Sequence, residues 1–167
     1  WDLGFVDPPL VLETRGRSFT VKALNGRGLV LLPPLVEGLA GHPDVESFVL
    51  FSDRAIGRVR SSDGLVVSEE ERTRRPSVMS VVRAIADLFA SPEDSRLGLY
   101  GAFGYDLVAQ VESIRPAVAR DPADRELVLY LPDQLVIVDH ARGRAERIAY
   151  EFVVGAARTH GLPREHV

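Results

Sequence analysis

The sequence has no cysteine in 167 residues. That excludes a disulfide framework, a zinc-thiolate site and a cysteine nucleophile. Lysine is almost absent as well: Lys22 is the only one among 20 basic residues, the rest being arginine. Coding bias towards Arg, Ala, Gly and Pro explains this more plainly than guanidinium-rich recognition. Long apolar runs are missing too. Runs such as Leu29-Val30-Leu31-Leu32 fall far short of the ~20 residues a membrane helix needs, and no charged region precedes an apolar one at the start. The expectation is a cytoplasmic protein with no membrane partner. Neither sign of charge dominates: 24 acidic residues face 20 basic ones, interspersed, for a net charge of -4. Nucleic-acid binding leaves a concentrated basic face, so no nucleic acid is expected as partner. The chain opens on Trp1 without a start methionine and in the middle of a pattern, which reads as a segment of a longer polypeptide.

What is present is a globular composition, 46% hydrophobic and 26% charged. A chain of this length buries roughly 70% of its unfolded surface. Leu10 to Ala23 reads as two strands around Arg15-Gly16-Arg17, with Phe19, Val21 and Ala23 alternating against Ser18, Thr20 and Lys22. Asn25-Gly26 and Arg27-Gly28 mark a turn. Pro33-Pro34 then open a short helix, with Leu35, Val36 and Leu39 on one face, which stops at Gly41-His42-Pro43. Val45 to Ser52 has the β-branched and aromatic character of a buried strand, and Ala55 to Arg60 and Gly64 to Val67 are weaker strand candidates. Glu69 to Arg75 is a charge run, read as a solvated linker.

The clearest helix follows. Val78, Val81, Val82, Ile85, Leu88 and Phe89 recur at three- and four-residue spacing between Pro76-Ser77 and Ser91-Pro92. Leu97 to Phe103 reads as a glycine-loaded strand running into Gly104-Tyr105-Asp106 and a short helix, Leu107 to Val111. LVLYLPDQLVIVD and RAERIAYEF read as two strands joined by a turn at His140-Ala141-Arg142-Gly143-Arg144, with Pro132 at an edge or bulge of the first. Strands and helices do not alternate regularly, so the fold class is α+β with mostly antiparallel sheets and a few packed helices.

Chemistry-bearing sets are scarce. His42, His140, His160 and His166 lie in predicted turns or the tail, and none pairs with another at helical spacing. Gly98, Gly101 and Gly104 invite a phosphate-loop reading, but their spacing fits no nucleotide fingerprint. Close packing or a bulge is the better account. Asp106 reads as a helix N-cap rather than a general base, and Asp53-Arg54 and Asp133 with Asp139 read as isolated polar pairs at strand ends. No nucleophile, base and orienter come together, so no catalytic, cofactor-binding or metal residue is assigned.

Four separated stretches carry a resemblance. RGRSFTVKALNGRGLVLLPPL, ERTRRPSVMSVVRAIADLF, LGLYGAFGYDLVAQVE and LVLYLPDQLVIVDH, in this order, resemble the N-terminal portion of anthranilate synthase component I, closest to the branch fused to a glutamine amidotransferase. A departure is Ala109-Gln110-Val111, where many relatives carry a bulkier aromatic. The resemblance covers Trp1 to about Phe152 and implies the β-rich N-terminal region of that fold, with residues 153–167 as a linker towards a C-terminal chorismate-binding domain.

It also implies an enzyme of tryptophan biosynthesis, a chorismate-utilising lyase that makes anthranilate and pyruvate with Mg²⁺. Its ammonia comes from a glutamine amidotransferase domain or subunit. The family's Mg²⁺ carboxylates and acid/base residues fall beyond Val167. Its tryptophan feedback site draws on a Leu-Glu-Ser loop before Trp1 and an Asn-Pro segment after Val167. The segment is therefore expected to be a scaffold or regulatory part, inactive alone. Two alternatives stand beside this reading. One is a stand-alone amino-acid-sensing or partner-docking module. The other is the same segment of an aminodeoxyisochorismate or aminodeoxychorismate synthase, since product choice lies in a pocket this stretch does not contain.

Overall fold

The computed structural model describes residues 1–61, 76–110, 121 and 124–164. The strand expected at Gly64 to Val67, the charge run Glu69 to Arg75, the end of the short helix at Val111 and His166 lie outside the described residues. Eleven described strands and two α-helices follow one another: β1 (Asp2–Gly4), β2 (Leu10–Arg15), β3 (Ser18–Ala23), α1 (Gly26–Ala40), β4 (Val45–Leu50), β5 (Arg54–Val59), α2 (Val78–Phe89), β6 (Tyr100–Phe103), a 3₁₀ helix at Tyr105–Gln110, β7 (Leu127–Leu131), β8 (Gln134–Asp139), β9 (Arg144–Ala149), β10 (Val153–Val154) and β11 (Ala157–Arg158). Every pair among the described strands is antiparallel, so the α+β expectation holds.

Six strands form the main sheet in the order β4-β5-β3-β2-β7-β6; β1-β8-β9 and β10-β11 form two smaller ones. The β2-β3 hairpin is the one the alternation predicted. It turns at Gly16, whose φ of +54° is a conformation glycine adopts without a Cβ penalty. Strict period-two alternation sends Leu10, Leu12, Phe19, Val21, Ala55, Val59, Leu127 and Leu129 to one face. There they form a single core with Leu31, Leu32, Leu35 and Leu39 of α1 and Val78, Val81, Ile85 and Phe89 of α2.

Helix α1 is longer than the sequence predicted and begins seven residues before Pro33. Asn25 is its N-cap: the side-chain oxygen accepts from the Gly28 N–H at 3.0 Å, while the amide nitrogen donates to Asp7. Both prolines therefore sit inside the helix. They remove two backbone donors there, and the helix persists because Leu31, Leu32, Leu35 and Leu39 are buried.

Two other expectations change. Val45 to Ser52 is not a buried strand but the edge β4, where Val49 and Leu50 are about half exposed. LVLYLPDQLVIVD is not one strand with a bulge. At Pro132-Asp133 the chain leaves the six-stranded sheet and enters the three-stranded one, because proline cannot supply the ladder N–H that would continue β7.

The main sheet's other face carries the cross-strand row Val49, Ile56, Thr20, Glu13, Val128 and Ala102. One end of this face is covered by Phe5, whose ring lies 5.6 Å from that of Tyr130 and 6.1 Å from that of Tyr100. At the other end Val49 and Ile56 are 54% and 40% exposed.

Candidate functional site

The densest polar assembly among the described residues is a buried centre around Arg27. This residue follows the N-cap of α1 and lies in phase with Leu31, Leu35 and Leu39 at four-residue spacing, so the helix turns it inward with its apolar stripe. Its side chain is 1% exposed, as is that of Asp133.

Arg27 Nε donates to Asp133 Oδ2. Its Nη1 donates to the carbonyls of Thr159 at 2.8 Å and Leu162 at 3.2 Å. Its Nη2 donates to the Tyr150 carbonyl at 3.1 Å, Glu151 Oε2 at 3.0 Å and Thr159 Oγ1 at 3.1 Å. Arg164 adds a second guanidinium, donating to Asp133 at 3.3 Å and to the Tyr150 carbonyl, and pairing with Glu151 Oε1 at 2.8 Å. Two cations face two carboxylates, so the centre is neutral. Burial alone would raise the Glu151 carboxyl, but hydrogen bonds from Arg27 and Thr159 and the two guanidinium charges hold it below its ordinary value. Every Arg27 nitrogen is engaged with protein acceptors, so the centre ties segments together and leaves Arg27 no donor for a substrate.

A second polar group joins the loop after α2 to β9. Asp94 accepts from Arg96 Nε at 2.9 Å and from the Tyr150 hydroxyl at 2.9 Å, and Arg96 reaches Glu146 at 3.3 Å. The Arg96 hydrogen bonds hold the Asp94 carboxyl at about 2. Burial and the Asp94 contact push the Tyr150 hydroxyl up to about 12.

The residues singled out in the sequence are dispersed. His42 accepts from the Asp44 N–H through Nδ1 at 3.2 Å, His140 meets Asp2 at 2.8 Å on the surface, and His160 sits exposed in a turn. Asp53 and Arg54 form an exposed 3.9 Å pair, and Asp139 is held by Arg142. Among the described residues no group of three or more histidines, aspartates or glutamates could hold a metal ion.

The glycine block behaves as close packing demands at Gly101, where an added Cβ would lie 2.0 Å from the Val128 carbonyl oxygen. At Gly104 it would meet the Glu126 carbonyl oxygen at 3.1 Å, and at Gly98 nothing within 4 Å. Asp106 is not an N-cap. The 3₁₀ helix starts at Tyr105, and the Leu107 N–H returns to the Gly104 carbonyl.

The Arg27 centre was not read from the sequence, where Arg27-Gly28 counted as turn punctuation and Asp133 as a strand-end polar residue. One signal pointed to it: once α1 is begun at Gly26, Arg27 falls on its buried face.

No protein-family model matches the chain, but curated proteins do. It is 48% identical over 162 residues to an anthranilate synthase of Azospirillum brasilense, covering 96% of this chain and 22% of that protein. It is 34% identical over 161 residues to anthranilate synthase component 1 of Serratia marcescens, covering 94% of this chain and 30% of the relative. The Escherichia coli K12 component 1 is 29% identical over 139 residues, 82% of this chain and 26% of the relative.

Over nearly all of its length this chain is homologous to anthranilate synthase component 1. It spans less than a third of the length of these relatives. No described helix is long and apolar enough to cross a membrane.

Proposed function

We propose that this chain is the N-terminal scaffold layer of an anthranilate synthase, supporting a catalytic part that converts chorismate and ammonia to anthranilate and pyruvate. The reading rests on one structural observation read beside the homology. The six-stranded sheet has helices and a core on one face and an open apolar end, Val49 and Ile56, on the other. Two layers already complete a domain and an antiparallel sheet tolerates a solvated face, so it is the exposed apolar end of that face that fits a covering layer. The proposed boundaries are residues 1–152 for the N-terminal region and 153–167 for the passage towards the chorismate-binding part. The similar aligned stretch makes up 22% of the Azospirillum protein and 30% of the Serratia one. The former is therefore the longer polypeptide, with room for a further part, and the higher identity to it favours a fused amidotransferase for this chain.

Mg²⁺ does not fit the described residues, which offer no carboxylate cluster. The role of this chain is instead to hold one wall of a distant pocket rigid, since electrostatic stabilisation of a reacting dianion depends on groups that do not reorganise. The test is direct: the 167-residue polypeptide, given chorismate, Mg²⁺ and ammonium, should form no anthranilate by fluorescence. Anthranilate formation that a point substitution within the chain abolishes would overturn the reading. Micromolar tryptophan binding to the chain alone would instead favour an amino-acid-sensing module.

A further inference from the structure

We propose that residues 150–164 form a strap that docks and undocks as one unit on helix α1, with the Arg27 centre as its fastener. Three observations carry this. First, β10 and β11 pair only with each other among the described strands, so past Tyr150, whose N–H donates to the Asp133 carbonyl at 2.8 Å, no described ladder ties the strap to either larger sheet. Second, beyond its first residue, where the Tyr150 hydroxyl donates to Asp94 and the Tyr150 N–H to the Asp133 carbonyl, the strap is held at two points. The apolar one is Phe152, edge-on to Phe89 of α2 with centroids 5.3 Å apart. The polar one is the Arg27 centre, where the strap supplies the Tyr150, Thr159 and Leu162 carbonyls, the Thr159 hydroxyl, Glu151 and Arg164.

Third, the strap's internal bonds converge on the same point. The Phe152 N–H donates to Thr159 Oγ1 at 2.8 Å, the Thr159 N–H to the Phe152 carbonyl at 3.1 Å and the Leu162 N–H to the Thr159 carbonyl at 3.1 Å. One guanidinium therefore reads whether the whole strap is in place. Its opening would strip Arg27 of every acceptor except Asp133, at the corner where the chain changes sheets.

A segment with few buried apolar anchors and no ladder opens locally, below the free energy of global unfolding. Replacing Arg27 itself would strand the buried Asp133, so the test uses Arg164→Gln and Glu151→Gln at the partly exposed rim. Hydrogen exchange followed by NMR should show the Thr159 and Leu162 amides opening well before those of Val21 and Leu129 in the parent. Each variant should speed strap exchange roughly tenfold or more, the weight of a charge-assisted hydrogen bond, with sheet amides unchanged. Strap and sheet amides exchanging at one common rate in the parent, or accelerating together in both variants, would overturn the proposal.

Discussion

The glycine block shows how much a residue type says by itself and where it stops. Glycines inside an apolar strand announced a close approach, and Gly101 makes one: its missing Cβ is what allows the Val128 carbonyl to come near. The sequence could not rank Gly101 above Gly104, because the ranking depends on which face of β6 meets β7 and how the pair twists. The structure ranks them. Gly101→Ala forces backbone apart at the β6-β7 ladder, where no flexible side chain can give way, and should cost about 1–3 kcal/mol or more. For a domain of this size that is a fall in melting temperature of about 3–10 °C. At Gly104 the neighbouring oxygen stands at 3.1 Å, so Gly104→Ala should lower it by less. Calorimetric melts of the two variants side by side check the order, and a Gly104→Ala protein that melts below Gly101→Ala would contradict it. Arg27 is the opposite case: a lone arginine beside glycines carries no mark of burial until its helical phase is known.

That phase belongs to the element, and at this scale the sequence was legible wherever periodicity and end signals agreed. Helix α2 has both, from Pro76-Ser77 to Ser91-Pro92, and it stands where they put it. Even there the cap chemistry differs, since the Ser77 side chain makes no cap bond and the Val78 N–H goes to Gln110 Oε1 at 3.2 Å, from the distant 3₁₀ helix. In α1 the signals conflicted: proline usually opens a helix, but Asn25 caps it earlier and the leucine stripe carries it through both prolines. Strand β4 failed for another reason, because composition marks a strand as apolar but not as an edge. The conflict in α1 leaves a measurable cost. Pro33 is exposed and withholds the N–H that would bond to the Leu29 carbonyl. Pro33→Ala restores that bond in a helix interior where proline costs about 3 kcal/mol, offset by up to about 1 kcal/mol of added unfolded-state freedom. Chemical denaturation should therefore show the variant more stable than the parent by roughly 1–2 kcal/mol, and a less stable one would mean that the prolines fit α1 without cost.

For the whole molecule, charge pairing and the open sheet face set the behaviour. Asp94 is held at about 2 against an ordinary 3.8, and Glu151 is lowered from 4.5. A lowered carboxylate stabilises the fold above its unfolded value and loses that contribution as pH falls through the folded one. Tyr150 is raised from 10.0 to about 12, so its contribution is complete below 10.0 and fades as pH rises towards about 12. Melting temperature should accordingly fall on the acid side below the ordinary carboxylate values and on the alkaline side above 10.0, and the Tyr150→Phe variant should lose the part of the alkaline fall that Tyr150 supplies. The open face makes the sharper demand. Its apolar end was invisible in the sequence, because Ile56 and Val49 alternate as any strand residues do and only the register sets them side by side away from the helices. Ile56 is 40% exposed in this chain alone, so Ile56→Asp should lower the chain's own stability only modestly, by about 1 kcal/mol for a poor strand former on a half-exposed face. If the rest of the enzyme covers this face, the same substitution buries an unpaired carboxylate in the full-length protein. Anthranilate formation and thermal stability should then both drop there, while the isolated chain stays folded. An Ile56→Asp enzyme as active and as stable as its parent would leave that face uncovered and take from the scaffold reading the observation that carries it.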